Sequence, residues 1–188
     1  MLSEGTVKVT VHSARHLADV ERGGRRRNDP YVKLSLTHEN EDSYQKTTTK
    51  EDAGSQASWD ETFEFSYGGE PNLFVEIFDK EAGVDELIGF AAIPLAQAPV
   101  NGIFDLYTIK QEPAGAIHLS INTDESDDPQ EAKSFVQDEH FRRMEKHHHK
   151  EVAEDVGKGA LAAGLAIGAG LFGKKLFDQH KAKQAEEQ

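Results

Sequence analysis

The chain has 188 residues, a formal net charge of −13 and no cysteine. This length corresponds to one domain of ordinary size plus a remainder. The negative charge argues against a general nucleic-acid-binding protein, because phosphate backbones require clustered Lys and Arg, but a local basic patch is enough to bind a membrane surface. Because the sequence contains no thiol, it excludes a disulfide framework and cysteine chemistry.

The first residues enter a strand pattern directly. Residues 1–6 have neither the basic start nor the apolar run of a secretory signal peptide. In residues 5–12, Val7, Val9 and Val11 alternate with polar residues, which predicts a half-buried strand. We therefore expect a cytoplasmic protein whose first strand begins near residue 5.

Seven further segments have the pattern of short strands. In one of them, Trp59, Phe63 and Phe65 supply large aromatic side chains to the predicted core. The segments are residues 30–37, the polar 46–50, 59–65, 73–77, 88–94, 103–107 and 115–121. Turn residues separate them at regular spacing, which predicts an all-β fold, an eight-stranded antiparallel sandwich, rather than a parallel sheet.

A carboxylate precedes the second predicted strand, in the stretch Asn-Asp-Pro-Tyr-Val-Lys-Leu at residues 28–34. Pro30 fixes its own φ and keeps Asp29 out of helical space, so Asp29 is expected at the mouth of the strand. Four other motifs flank this stretch in order: Ser-Ala-Arg-His-Leu at 13–17, Trp-Asp-Glu-Thr-Phe-Glu-Phe at 59–65, Leu-Phe-Val-Glu-Ile-Phe-Asp at 73–79 and Leu-Ile-Gly at 87–89.

This series of motifs, over residues 5–122, resembles the C2 domain, the calcium- and phospholipid-binding β-sandwich of protein kinase C and the synaptotagmins. The resemblance implies the type II strand arrangement, with the first strand before the motif at 13–17 and the closing strand at 115–121. It also implies that three loops at one end of the sandwich supply carboxylates to calcium, which takes about 6–8 oxygen ligands.

By this resemblance, the third such loop offers Asp79, then Glu81 in place of the family's second aspartate. Glu86, or Asp85 beside it, matches the last acidic position, and the loop is one residue shorter than the family pattern. These four residues are the predicted metal ligands of that loop.

The first loop departs further from the family pattern. Asp29 matches, but its expected partner is Glu21, with Asp19 as the alternative, and the loop carries about two extra residues. The added methylene of a glutamate moves its carboxylate by more than about 1 Å, and a calcium shell tolerates only small displacements. Two interpretations stay open: a calcium site of low affinity, or a solvated acidic rim that pairs with the inserted arginines.

The extra residues of the first loop are strongly basic. Arg22, Arg25, Arg26 and Arg27 stand around a Gly-Gly pair, and Lys80 lies in the third loop. Each basic side chain near an anionic leaflet contributes about 1 kcal/mol, and guanidinium binds phosphate in a bidentate manner. The pattern predicts a surface for anionic phospholipid; the alternatives are an exposed charge run with no partner and a nuclear localisation signal.

The C-terminal extension begins after the domain at 1–123. We predict an acidic linker at 124–130 and a charged helix at 131–156, because Asp128 is a good cap and Pro129 suits a first helical position. Few apolar residues occur in that helix, so it is expected to be mostly solvated. His140 and residues 147–149 then form a solvated histidine face rather than a transition-metal site, since consecutive side chains on a helix point in different directions.

The final segment, 157–188, is a Gly/Ala-rich apolar helix followed by a polar tail. Its uncharged part, 159–173, would measure roughly 22 Å as a helix, whereas the bilayer core of about 30 Å requires about 20 residues. Leu161, Leu165 and Phe172 fall on one stripe, beside Gly164 and Gly168 at four-residue spacing. The pattern predicts shallow membrane insertion or close helix pairing, including homo-oligomer formation, with a helix docked on the sandwich as the alternative.

No motif for a catalytic nucleophile, a catalytic metal triad or a phosphate-binding P-loop occurs in the sequence, so an enzyme is not expected. The predicted function is that of a peripheral membrane protein. It docks on anionic phospholipid with weak or absent calcium dependence, and its tail adds membrane attachment or self-association. The alternative is a scaffold that binds protein partners through the sandwich and the tail, without lipid.

Overall fold

Short strands and one long helix make up the computed structural model, which describes residues 5–20, 27–123 and 128–162, the last five by their backbone alone. The elements are β1 (Gly5–Arg15), β2 (Pro30–Ser35), β3 (Gln45–Lys46), β4 (Ala57–Tyr67), β5 (Asn72–Asp79), β6 (Glu86–Pro94), β7 (Val100–Tyr107), β8 (Pro113–Ile121), β9 (Gln130–Ala132) and α1 (Asp138–Ala162).

Strands β1 to β8 form two antiparallel layers. Their order is β3-β2-β5-β6-β7-β8-β1-β4, and the pair Phe90 and Tyr107 joins β6 to β7. Apolar side chains at every second position point between the layers; in β5 these are Leu73, Val75 and Ile77, which are fully buried. The predicted eight-stranded antiparallel sandwich is confirmed.

Gly89 shows why the Leu-Ile-Gly motif needs a glycine at its third position. A Cβ at this residue would lie 2.8 Å from the Cβ of Ala114 and 3.3 Å from that of Leu106. Strand β6 therefore approaches β7 and β8 more closely than a side chain would allow.

The helix predicted at 131–156 begins only at Asp138. Residues 130–132 form β9, which pairs in parallel with β7, and Phe135 forms a bridge with Ala92 of β6. These sheet hydrogen bonds satisfy the backbone that the cap signals at Asp128 and Pro129 predicted to be helical. Gln137 provides the helix start instead, because its side-chain oxygen accepts a hydrogen bond from the His140 amide at 2.6 Å.

The first part of α1 covers the outer face of β2, β5 and β6. His140 and Met144 are almost completely buried, and Met144 packs with Tyr31, Phe78 and Phe90. The expectation of a mostly solvated helix with a solvated histidine face is therefore wrong at these positions. The physical reason is that β5 is apolar on both faces and needs a cover on its outer side.

The chain divides into two compact units, Met1–Glu151 and Val152–Gln188. The first contains the nine strands found in the described ranges and the start of α1. The second is described only in the end of α1, where Val156 is 66% exposed. Among the residues that the structure describes, no helix has the length and apolar character needed to cross a bilayer.

Candidate functional site

Three connections meet at one end of the sandwich. We call them loop 1 (residues 16–29, between β1 and β2), loop 2 (47–56, between β3 and β4) and loop 3 (80–85, between β5 and β6). They share this end because the strands alternate in direction. The connection between β6 and β7 lies at the opposite end.

Loops 1 and 3 are hydrogen-bonded to each other through the two aspartates that the sequence singles out. The backbone N–H of Asp29 donates to Oδ1 of Asp79 at 2.6 Å, and the N–H of Lys80 donates to the carbonyl of Asp29 at 3.1 Å. Asp29 in turn accepts a hydrogen bond from the Asp52 amide of loop 2 at 2.6 Å. These hydrogen bonds join the described end of loop 1 to loops 2 and 3.

Asp85 holds the shape of loop 3. Its Oδ2 accepts from the Tyr31 hydroxyl at 2.6 Å, and its Oδ1 accepts from the Glu81 amide at 2.9 Å and from Lys80 Nζ at 3.1 Å. Partial burial alone would raise the pKa of Asp85, but these donors outweigh it and hold the pKa below its ordinary value. The carbonyl of Asp85 is also in hydrogen-bond contact with His147 Nε2 of α1, at 2.7 Å.

Asn28 performs a similar role in loop 1. The side chain is buried, donates from Nδ2 to the Ala18 carbonyl at 2.8 Å and accepts from the Val20 amide at 3.3 Å. A cavity of about 380 Å³ opens between loops 1 and 2, lined by Leu17, Asp19, Arg27, Asn28, Ala53, Gly54 and Ser55. Arg27, the described arginine of the insertion, and Asp19 both line this cavity.

Several predicted site residues lie outside the described part of the chain. They are Glu21, Arg22, Arg25 and Arg26 of loop 1 and Gly164, Leu165, Gly168 and Phe172 of the tail. Leu161 falls within the bounds of α1, but its side chain is not described. The roles given to these residues stay predictions.

The described acidic side chains do not fit a calcium cage. Asp79 and Glu86 are register partners at the base of loop 3, and Asp79 contacts Asp29, but within the described ranges no three carboxylate or histidine groups converge as a metal would require. Asp85 is turned toward Tyr31 and Lys80 instead. Calcium coordination through these residues stays a prediction.

A second cluster of charges, not predicted from the sequence, lies beneath α1. Glu76 on the outer face of β5 is fully buried; its Oε1 contacts His140 Nε2 at 3.0 Å and accepts from Arg143 Nε at 3.1 Å. Arg143 also pairs with Glu41, as does Lys33. We call these five residues the buried charge cluster.

The ionisation of the buried charge cluster follows from its contacts. Burial alone would raise the pKa of Glu76, but hydrogen bonds from His140 and Arg143 outweigh it and lower the pKa to about 2. Burial is the main cause that lowers the pKa of His140, although Glu76 opposes it. Nδ1 of His140 has no hydrogen-bond partner in the described structure, so a second proton on the ring would lack an acceptor.

The arrangement defines a class of protein: an antiparallel β-sandwich that presents three joined, charged loops at one end. A family model of the C2 domain matches residues 5–128, which is more than half of the chain. The chain therefore belongs to the C2 domain family, as the sequence motifs predicted.

Two relatives and one solved structure show which C2 domain proteins the chain is similar to. The chain is 30% identical to extended synaptotagmin-1 of Pongo abelii over an alignment of 126 positions. This alignment covers 63% of the chain and 11% of that protein, so the chain spans about a tenth of its length. It is 27% identical over 181 residues to a calcium-dependent lipid-binding protein of Arabidopsis thaliana, covering 89% of the chain and 34% of the relative. A C2 domain of plant extended synaptotagmin 1 superposes with a TM-score of 0.54 at 22% identity, covering 73% of this chain and 98% of that domain, which shows the fold alone.

Proposed function

We propose that this protein is a peripheral membrane-binding domain that docks on anionic phospholipid through loops 1 and 3, with weak or absent calcium dependence. The observation that carries the proposal is the hydrogen bond from the Lys80 amide to the Asp29 carbonyl. It fixes loop 3 beside the described end of loop 1, two residues from Arg27, so Arg27 and Lys80 lie at the same end of the sandwich. Membership in the C2 family and a relative named as a calcium-dependent lipid-binding protein support the membrane docking.

The energetics favour a surface that acts through several weak contacts. Each exposed cation close to an anionic leaflet contributes about 1 kcal/mol, so four arginines and Lys80 together are sufficient for reversible attachment. Arginine contributes more than charge, because its planar guanidinium forms two parallel hydrogen bonds to one phosphate.

Co-sedimentation with vesicles tests the proposal. The full chain is mixed with phosphatidylserine-containing vesicles and with phosphatidylcholine vesicles, in chelator and in calcium. Arg25→Glu, Arg26→Glu and Arg27→Glu, combined, are expected to abolish binding to the anionic vesicles at low salt. Lys133→Glu is the matched control, because Lys133 is exposed and its backbone bonds to Gln97 at the opposite end. Equal binding by the triple variant and the wild type contradicts the role of loop 1 in membrane binding. Binding of the wild type only in the presence of calcium contradicts the proposed weak or absent calcium dependence.

The tail is proposed to strengthen this attachment or to pair with a second helix. Burying a leucine or phenylalanine is worth about 1.5–3 kcal/mol, so the apolar residues at 159–173 favour either lipid or another helix. Two weak attachments on one chain reinforce each other. Deletion of 157–188 is expected to weaken vesicle binding, and Gly164→Leu with Gly168→Leu to disrupt helix pairing but spare lipid insertion. Full vesicle affinity of the truncated chain, together with a monomeric full chain in sedimentation analysis, contradicts both roles.

A further inference from the structure

One flank of α1 is strongly basic and borders the connection between β2 and β3 (residues 36–44). Arg142, Lys146 and Lys150 are exposed and follow each other at a spacing of four residues. Successive positions in such a row lie about 6 Å apart along the helix axis. A cavity of about 480 Å³ runs beside them, between residues 38–39 of the connection and residues 139–150 of α1. We call this cavity the basic groove.

The orientation of the basic groove is fixed by contacts beneath it. Arg143, which also lines the groove, is held by Glu76 and Glu41 and lies over the ring of Tyr44 at 4.7 Å from its centroid. His140 and Met144, which share this part of α1, are buried, so the helix does not rotate about its own axis without exposing them. The three exposed cations are therefore presented on one side of a rigid element.

The cations that line the basic groove outnumber its carboxylates. Two carboxylates, Glu39 and Glu139, also line the cavity, and Glu139 lies 3.3 Å from His38 Nε2. Within the described ranges, Arg142, Lys146 and Lys150 form no ion pair. Three exposed cations in a row stand out in a chain whose net charge is −13. Their mutual repulsion falls when an anion binds between them.

We infer that the basic groove binds a ligand that carries two or more phosphate groups, through Arg142, Lys146 and Lys150. The volume lies in the range of about 300–1,000 Å³ that is typical of small-molecule sites. A row of cations spaced by one helical turn matches phosphates that are distributed around a ring or along a chain better than it matches a single phosphate. The ligand chemistry is shared by a polyphosphorylated lipid headgroup and a free polyphosphate.

Calorimetric titration with inositol hexakisphosphate tests the site on the full chain. The wild type is expected to bind this probe, and Lys146→Glu with Lys150→Glu to bind it at least tenfold more weakly. Both side chains are exposed, so the melting temperature of the double variant is expected to match that of the wild type. Lys133→Glu carries one of the same charge changes away from the groove and is expected to bind as the wild type does. Equal affinities in all three proteins, or no binding to the wild type, overturn the inference.

Two further arms separate the sources of the ligand and the two proposed surfaces. Vesicles that contain phosphatidylinositol 4,5-bisphosphate are compared with phosphatidylserine vesicles of equal charge. If the wild type prefers the phosphatidylinositol 4,5-bisphosphate vesicles and the Lys146→Glu, Lys150→Glu variant does not, the ligand is a lipid headgroup. If the wild type binds the soluble probe but shows no such preference, the ligand is a free polyphosphate. The loop 1 variant with Arg25, Arg26 and Arg27 changed to Glu is expected to keep its affinity for the soluble probe. Loss of that affinity in the loop variant alone would place the probe on loop 1 and contradict the groove.

Discussion

Glu76 beneath α1 and Asp85 in loop 3 are both carboxylates whose pKa is lowered by hydrogen-bond donors, but their surroundings differ. Glu76 is fully buried and each of its contacts is internal to the protein. The side chain of Asp85 is 15% exposed, and it lies in a loop whose other charged residues, Lys80 and Glu81, reach solvent. Because Glu76 is buried, its charge serves the fold alone. Lys80 and Glu81, beside Asp85, reach solvent and are available to a ligand.

The comparison shows that a charged cluster in this molecule is not by itself a sign of a binding site. In the buried charge cluster, Arg143 forms ion pairs with both Glu76 and Glu41. These charges are therefore paired within the protein and do not attract a partner. At the loop end, Arg27 is exposed and Lys80 is shared with a single carboxylate. The difference can be tested by changing one charge in each region and measuring stability in one case and binding in the other.

The largest effect is expected from Glu76→Gln. This change leaves Arg143 partly buried with one counter-ion instead of two, and removes the charge that holds His140. Breaking a buried ion pair by removing one partner costs about 3–5 kcal/mol. The free energy of unfolding, measured by urea denaturation, is expected to fall by that amount.

Glu64→Gln is the control for Glu76→Gln, because Glu64 is an exposed residue of β4 that faces Lys8 across the strands. It is expected to change the free energy of unfolding by no more than about 0.5 kcal/mol. If the two variants lose equal stability, the buried charge cluster does not hold α1 on the sheet.

A smaller effect is expected from pH, through His140. Its pKa in the folded protein lies below the ordinary value of about 6.5, so the unfolded chain takes up the proton more readily. The stabilising contribution of neutral His140 is therefore complete above about pH 6.5 and is lost as the pH falls. Urea midpoints measured from about pH 7.5 to 5 are expected to decline in the wild type.

His140→Gln separates this effect from those of other groups. Glutamine keeps an N–H donor for Glu76 but does not titrate, so the decline between about pH 7.5 and 5 is expected to become shallower. Glu76 acts at lower pH: its folded pKa of about 2 lies below the ordinary 4.5, and its contribution is lost as the pH falls from about 4.5 to 2. An unchanged slope above pH 5 in His140→Gln would show that His140 does not titrate with unfolding.

The strands and the loop aspartates could be predicted from the sequence because each has a local signal. Alternation at period two marks the inward residues of β1 and β5, and Pro30 places Asp29 at a strand mouth. The hydrogen bonds that turn Asp85 toward Tyr31 could not be predicted, since they depend on the register between β2 and loop 3. Asn28 can be recognised in the sequence as the residue before Asp-Pro. Its hydrogen bonds within loop 1, however, depend on the folded structure and could not be predicted.

The packing of α1 was missed for a different reason. Its buried side chains include His140 and Glu151, which a helix pattern assigns to solvent, and its apolar residues are few. A signal was present in β5, where Phe74 and Phe78 flank Glu76 on the face opposite to the core. Two apolar faces on one strand indicate a second covering layer, and the polar contacts of Glu76 then select which segment provides it.

Vesicle affinity of Lys80→Glu, compared with Lys133→Glu in chelator, tests membrane docking by the loop end most directly. Both changes reverse one exposed lysine, the first in loop 3 and the second near the opposite end of the sandwich. Replacing an attraction of about 1 kcal/mol by a repulsion of similar size predicts a loss of about 2 kcal/mol, or ~30-fold in affinity for anionic vesicles, for Lys80→Glu. Lys133→Glu is expected to bind as the wild type does. Equal affinities of the two variants would contradict the assignment of membrane docking to the loop end.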